Sequence, residues 1–505
     1  MRPFELLLCV STVLLLASIV PARKGRRFIP PSAAGAAAGL FLVLHGTLEG
    51  FRVQLLFPYC VTILFGAVSG YRLFKKTEAK KMPRFLTGSA YAAAAVLMTA
   101  TAGLLYAFPV FKLPEPTGGF RVGTQTFHLA DQAREETFDR TAGSPRELMV
   151  QVWYPAEGES GRPLRFIPDT RILPDMAADY GLPGFTFQHL KYISGHAHSG
   201  AIVSSAQDAY PLILANPGFG SSRFMHTSQA EDLASHGYIV AVIDHTYNTF
   251  ATEFPDGRIT RNASSGLFSP EHDYRTEREN RDKLGGILTD DVTFVLDQFE
   301  RIQSGRIPSS LKGKIDLGHV GTFGHSIGGA TAYDAAYDPR IAAGIDLDGG
   351  LYRLRDRERL RKPFLFIHSE SEFQRLQRVA DNRVYTDDEL KRMGSTREWE
   401  DQVAEDKKLE LKRMREAVEE GGQVLHIEDT EHLNFTDVQF ISPVFRMLGV
   451  TGKIAPRRAN AVINGCMLDF FDKHLKKQTE HSSARPEGLF LPRSAAAGLS
   501  ANLLF

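Results

Sequence analysis

Residues 319–332, HVGTFGHSIGGATA, constrain the fold of this chain more than any other stretch. An apolar strand runs directly into Gly324-His325-Ser326-Ile327-Gly328, and a small-residue helix follows. A serine so placed sits on a sharp strand-to-helix turn, where neighbouring Cβ atoms would clash, so glycine is needed two residues either side. The turn lifts the serine oxygen at the carboxyl end of its strand and aims backbone N–H groups at an oxyanion forming there. Ser326 is therefore the candidate nucleophile. The alternative is a structural turn serine, and the flanking strand, helix and extra Gly329 argue against it.

Such a turn needs a sheet around it. Residues 146–154, 211–215, 238–243, 319–323, 341–347, 363–367 and 424–427 read as strands, and 226–236, 286–303, 328–338 and 459–475 as helices. Apolar strands alternating with helices predict an α/β domain with a mostly parallel sheet. Residues 371–422 depart from this pattern as a charged insertion. From Arg397 to Glu420, fifteen of 24 residues are charged, with a thin stripe of Trp399, Val403, Leu411, Met414 and Val418. That composition predicts a solvated helix across the domain, as a surface insertion in preference to a lid.

A serine nucleophile needs a base, and the base needs a carboxylate, in the chain order Ser, Asp or Glu, His. Residues 341–350, IAAGIDLDGG, read as the next strand and its loop. Asp348 closes that strand before two glycines and is the candidate acid; Asp346, on the same side by the period of two, is its rival. Residues 424–435, VLHIEDTEHLNF, place His432 in a polar loop after the last strand, as candidate base, and His426 within the strand, as a packed histidine. An earlier strand ends in Asn216-Pro217-Gly218-Phe219-Gly220, so the amides of Phe219 and Ile327 are candidates for an oxyanion hole, against an ordinary glycine turn. His196 and His198 lack an acidic or cysteine partner nearby in sequence and read as a surface loop.

The first 112 residues are a different kind of sequence. Residues 4–22 and 53–71 are strongly apolar, 86–108 is long and small-residue-rich, and 33–50 is a weaker candidate span interrupted by His45 and Glu49. Positive charge follows the first run, at Arg23, Lys24, Arg26 and Arg27, so the run reads as a retained membrane helix and not a cleaved signal. Arg72, Lys75, Lys76, Lys80, Lys81 and Arg84 lie between the third and fourth runs. With four spans both basic loops share one side, which the positive-inside rule assigns to the cytoplasm. The chain is then a multi-pass cell-membrane protein: residues 1–112 form the anchor and 113–505 an extracytoplasmic catalytic domain. Glu49 and His45 mark either a functional intramembrane site or a helix end among headgroups, the second being favoured.

Composition excludes several classes. With 59 Lys+Arg against 59 Asp+Glu, no bulk positive charge is available for nucleic acid, and 43% hydrophobic residues exclude a mainly disordered chain. Three cysteines exclude a disulfide framework and a cysteine-based metal site. No cofactor or metal is implied.

The pieces LANPGFGSSRF, EDLASHGYIVAVIDH, GTFGHSIGGATA, GIDLDGG and EHLNF resemble, in order and spacing, the plasma-type platelet-activating factor acetylhydrolase family over roughly residues 120–475. The resemblance implies an α/β-hydrolase fold and calcium-independent removal of short acyl chains from the sn-2 position of phospholipids. It also implies Ser326, Asp348 and His432 as the triad, with Phe219 and Ile327 supplying the oxyanion amides. Pro217 stands where that family usually has histidine, and neither the insertion nor the helical anchor belongs to its pattern. A general carboxylesterase or polyester hydrolase, a peptidase or thioesterase, and a catalytically dead membrane sensor are the competing readings.

Overall fold

The computed structural model describes residues 1–19, 30–75, 84–139, 143–269, 271–476 and 499–501. The strands are β1 (Arg121–Glu135), β2 (Pro145–Ala156), β3 (Arg162–Arg165), β4 (Ser194–Ser199), β5 (Tyr210–Asn216), β6 (Ile239–Asp244), β7 (Ala251–Glu253) and β8 (Ile259–Arg261). They continue with β9 (Ile315–His325), β10 (Ile341–Leu347), β11 (Phe364–His368), β12 (Gln423–Ile427) and β13 (Leu499–Ala501). Eleven form one sheet in the order β13-β12-β11-β10-β9-β5-β6-β2-β1-β4-β3, while β7 and β8 pair separately. From β6 to β12 the neighbours run parallel; β2 joins β6 and β1 antiparallel. Each of the seven anticipated strands is present.

Four helices precede the sheet: α1 (Pro3–Ile19), α2 (Pro31–Leu44), α3 (Leu56–Lys75) and α4 (Arg84–Ala107). The others are α5 (Leu173–Asp179), α6 (Thr227–Ser235), α7 (Tyr274–Gln303), α8 (Ile327–Ala335), α9 (Glu370–Ala380), α10 (Asp387–Met393), α11 (Arg397–Glu419), α12 (Val438–Ile441), α13 (Pro443–Met447) and α14 (Pro456–Leu475). Apolar strands need cover on both faces, and helices supply it. On one face lie Val292, Val295, Leu296 and Phe299 of α7, at i, i+3, i+4, i+7, together with Ala332 of α8 and Leu376 of α9. On the other lie Ala230 and Leu233 of α6 and Val462, Ile463 and Met467 of α14.

The insertion helix corrects its sequence reading. Leu411, Met414 and Ala417 of α11 are buried in the same core as α7 and α8, so α11 is a layer of the domain. Its thin stripe suffices because Asp406 and Glu410, also buried, are paired.

In the helical region, Pro31–Glu49, Val53–Tyr71 and Thr87–Ala107 are long and apolar enough to cross a membrane, and the first apolar run is helical over its described part, Pro3–Ile19. The weak candidate gains length because α2 continues through a π-helical turn, His45–Glu49. Both polar residues of that turn are satisfied: His45 Nδ1 lies 2.9 Å from Glu49 and Nε2 lies 2.7 Å from the Tyr59 hydroxyl. Glu49 accepts the amides of Phe4 and Glu5 at the start of α1, at 2.9 and 3.1 Å. Of the basic residues that set the predicted orientation, Arg23, Lys24, Arg26, Arg27, Lys76, Lys80 and Lys81 lie outside the described residues. This helical region meets the sheet domain directly, since the Tyr192 hydroxyl donates to the Phe51 carbonyl at 2.7 Å and Gln54 Nε2 donates to the Thr186 carbonyl at 3.3 Å.

Candidate active site

Register places the site. Asn216 pairs with Gly324 and Leu347 with His325, so β5, β9 and β10 end at one level. Ser326 stands there between β9 and α8 with φ 57° and ψ −125°, a conformation L residues rarely adopt. Two contacts show why glycine surrounds it: a Cβ at Gly324 would stand 2.0 Å from the Gly328 carbonyl oxygen, and one at Gly328 would stand 2.0 Å from that of Asn216. Backbone thus occupies the space on both sides of the serine.

The structure brings Asp348 and His432 together across 84 residues of sequence. His432 Nδ1 lies 2.7 Å from Asp348 Oδ2, and Asp348 Oδ1 accepts the Ser369 amide at 2.6 Å. Burial pushes the Asp348 carboxyl up, but the His432 hydrogen bond and charge and the Ser369 amide outweigh it and hold it at about 2. Asp348 therefore faces the imidazole ionised, and bonding at Nδ1 leaves Nε2 for the serine side. Asp346 is elsewhere. Its Oδ1 accepts the Gly349 amide at 2.8 Å beneath the turn, and burial raises its carboxyl well above the ordinary range. His426 is a packed ring, stacked on Phe373 at 3.8 Å.

Ser326 and His432 open onto a cavity of about 100 Å³, walled by Met176, Tyr180, Phe219, Met225, Phe250, Leu433 and Val438. Among the described residues the Phe219 amide donates to no backbone carbonyl. Ile327 opens α8, where an amide has no acceptor one turn back. Ile327 is not among the residues that line the cavity.

Sequence reasoning missed His325, which packs its ring 4.4 Å from that of His432. Its Nε2–H donates to the His432 carbonyl at 2.9 Å, fixing the loop of the base. Burial and the neighbouring His432 charge hold His325 far below the usual histidine range, hence neutral. Its place between Gly324 and Ser326 was the available signal. Met176 and Tyr180 were also missed, because nothing in residues 173–187 marks them as a cavity wall. His196 is corrected: it lies on β4, with Nδ1 2.9 Å from the buried Glu231 of α6.

A second polar cluster lies at the ends of the N-terminal helices. Ligand atoms of Glu5, His45 and Glu49 come within 4.8 Å of one another. A cation is not needed to balance them, since Arg2 and Arg52 each reach Glu5 Oε1 at 2.8 Å. These donors do not otherwise adjoin the cavity.

Proteins similar to this chain in sequence or fold include esterases and acetylhydrolases. The curated relatives include a probable 1-alkyl-2-acetylglycerophosphocholine esterase from Arthroderma benhamiae, 27% identical over 48% of this chain and 60% of that protein. The platelet-activating factor acetylhydrolase of Cavia porcellus is 25% identical over 74% of this chain and 80% of its own length. Among solved structures, a ferulic acid esterase from Streptomyces cinnamoneus matches with a TM-score of 0.55 and 26% identity, covering 77% of this chain and 99% of the other. Fold and relatives together define a carboxylic ester hydrolase. The family model for platelet-activating factor acetylhydrolase, isoform II, matches residues 106–489, and the chain belongs to that family.

Proposed function

We propose that this protein is a membrane-anchored serine esterase that removes short acyl groups, including those at the sn-2 position of phospholipids, through an acyl-enzyme. The observation that carries the reading is the 2.7 Å Asp348–His432 pair, whose His432 lines the same small cavity as Ser326. Ser326 Oγ attacks the ester carbonyl carbon while His432 Nε2 takes its proton. Asp348 holds the tautomer and stabilises the imidazolium. The tetrahedral oxyanion rests on the amides of Phe219 and Ile327. Its collapse breaks the ester bond, and His432 returns the proton to the departing alcohol. Water, with His432 again as base, then attacks the acyl-Ser326 carbonyl and releases the acid.

The small, apolar-walled cavity of about 100 Å³ beside Ser326 supports a short acyl group. The relatives' named activities favour a phospholipid substrate. Three helices of sufficient length and apolarity support anchoring, and the basic residues after the first and third runs support a catalytic domain outside the cytoplasm. A second reading, a general carboxylesterase, is favoured by the ferulic acid esterase likeness.

The test is a hydrolysis panel on the full chain in detergent beside its Ser326→Ala variant. It sets p-nitrophenyl acetate, longer p-nitrophenyl esters and a feruloyl ester against sn-2 acetyl and sn-2 long-chain phospholipids. Turnover of the sn-2 acetyl phospholipid, lost in the variant, is expected. Turnover confined to simple esters favours the second reading, and no turnover by folded protein overturns both.

A further inference from the structure

Helix α11 reaches the back of the triad acid. Glu410 Oε1 accepts the amide of Leu351, three residues beyond Asp348, at 3.2 Å. Lys407 Nζ bonds Glu410 Oε2 and Glu372 Oε1, both at 2.7 Å. Glu372 lies three residues beyond Ser369 and donates its amide to Ser369 Oγ at 3.3 Å, and the Ser369 amide in turn holds Asp348 Oδ1. Gly350 lies against both side chains: a Cβ there would stand 3.3 Å from Glu410 Oε1 and 3.3 Å from Lys407 Nζ. One lysine and one glutamate of α11 thus tie together the two loops that flank Asp348.

We propose that Lys407 and Glu410 are positioning residues for the triad acid, so that the charged insertion braces the catalytic carboxylate. The proposal rests on the reading of Ser326, Asp348 and His432 as a triad. Its physical basis is that a catalytic carboxylate must be held within a fraction of an ångström, and buried charge-assisted bonds hold more rigidly than exposed ones. Glu372 and Glu410 are buried, and Lys407 is nearly so. The charged and titratable groups around the brace are Arg281 from α7, Asp346 and Asp348 at the end of β10, His368 from β11, Glu372 and Arg375 from α9, Lys407 and Glu410 from α11, and His426 from β12. His325 and Asp348 face His432 itself.

The experiment compares Glu410→Leu with Glu410→Gln in the full chain, measuring kcat, KM and the acid limb of kcat/KM on p-nitrophenyl acetate, with Tm alongside. Glutamine keeps an oxygen for the Leu351 amide; leucine does not. Glu410→Leu is expected to lower kcat roughly 10-fold or more at unchanged KM. It also moves the acid limb to lower pH, because a displaced Asp348 stabilises the His432 imidazolium less. Glu410→Gln is expected to restore most of kcat and the wild-type limb. If Glu410→Leu does not fold, Lys407→Met is read for the same two effects. A folded variant with wild-type kcat and limb overturns the brace. If the wild type itself is not labelled at Ser326 by a fluorophosphonate, the triad reading has failed instead.

Discussion

His432 Nδ1 and Asp348 Oδ2 stand 2.7 Å apart, and the other Asp348 oxygen is held by the Ser369 amide, so the acid is anchored at both oxygens. Asp348→Asn presents an amide where a carboxylate orients the base, and kcat is expected to fall about 10⁴-fold. Asp346→Asn keeps an oxygen for the Gly349 amide at a carboxyl whose pKa burial raises, and activity within roughly 10-fold of wild type is expected. Steady-state kinetics on p-nitrophenyl acetate checks both. The reverse ranking would make Asp346 the acid.

The glycines around Ser326 are steric requirements. A Cβ at Gly328 would fall 2.0 Å from backbone, which cannot move as a flexible side chain can. Gly328→Ala is expected to cost at least about 4 kcal/mol or to prevent folding. Thermal unfolding checks it, and a Tm within a few degrees of wild type would contradict the packing of the turn.

On the proposed function, the cavity wall sets the chain-length preference. Met176→Ala and Val438→Ala remove methyl and methylene groups bordering the space beside Ser326. The kcat/KM ratio of butyrate to acetate ester is expected to rise about 10-fold, the worth of one or two methylenes in such a pocket. An unchanged ratio would place the acyl group elsewhere.

Asp437 gives stability a pH dependence. Burial, against the Ser228 hydroxyl and amide bonds, pushes its carboxyl up to about 7. A raised folded pKa means that the native state holds the proton more tightly than the unfolded chain. Its stabilising contribution is full below about pH 4 and is lost as pH rises through about 7. Asp437→Asn is expected to flatten this part of the Tm-against-pH curve between about pH 4 and 8. A curve unchanged by the substitution would show that Asp437 does not titrate there.

Legibility in the sequence followed the strength of local constraint. Ser326 could be read because its turn demands glycine at fixed places, and Asp348 and His432 because each follows an apolar strand whose end is visible. The seven anticipated strands were legible as apolar runs; β3, β4 and the β7–β8 hairpin were not, being short and polar, nor was the long β1, in which buried and exposed residues alternate along much of its length. Met176 and Tyr180 were hidden because a cavity wall built from a short helix and its turn has no period. Helix α11 misled because its charge density outweighed the thin stripe that includes Leu411 and Met414, and because the pairing of Lys407 with Glu372 is a long-range fact. The first apolar run was legible from its composition, and it is helical over Pro3–Ile19 among the described residues.

Fluorophosphonate labelling of the full chain, with the modified peptide identified by mass spectrometry, tests the central claim most directly. A single adduct on Ser326, slowed about 10³-fold or more in His432→Ala and absent in Ser326→Ala, is the predicted result. Folded protein that takes no label, or carries it on another serine, would contradict the assignment of Ser326 as nucleophile.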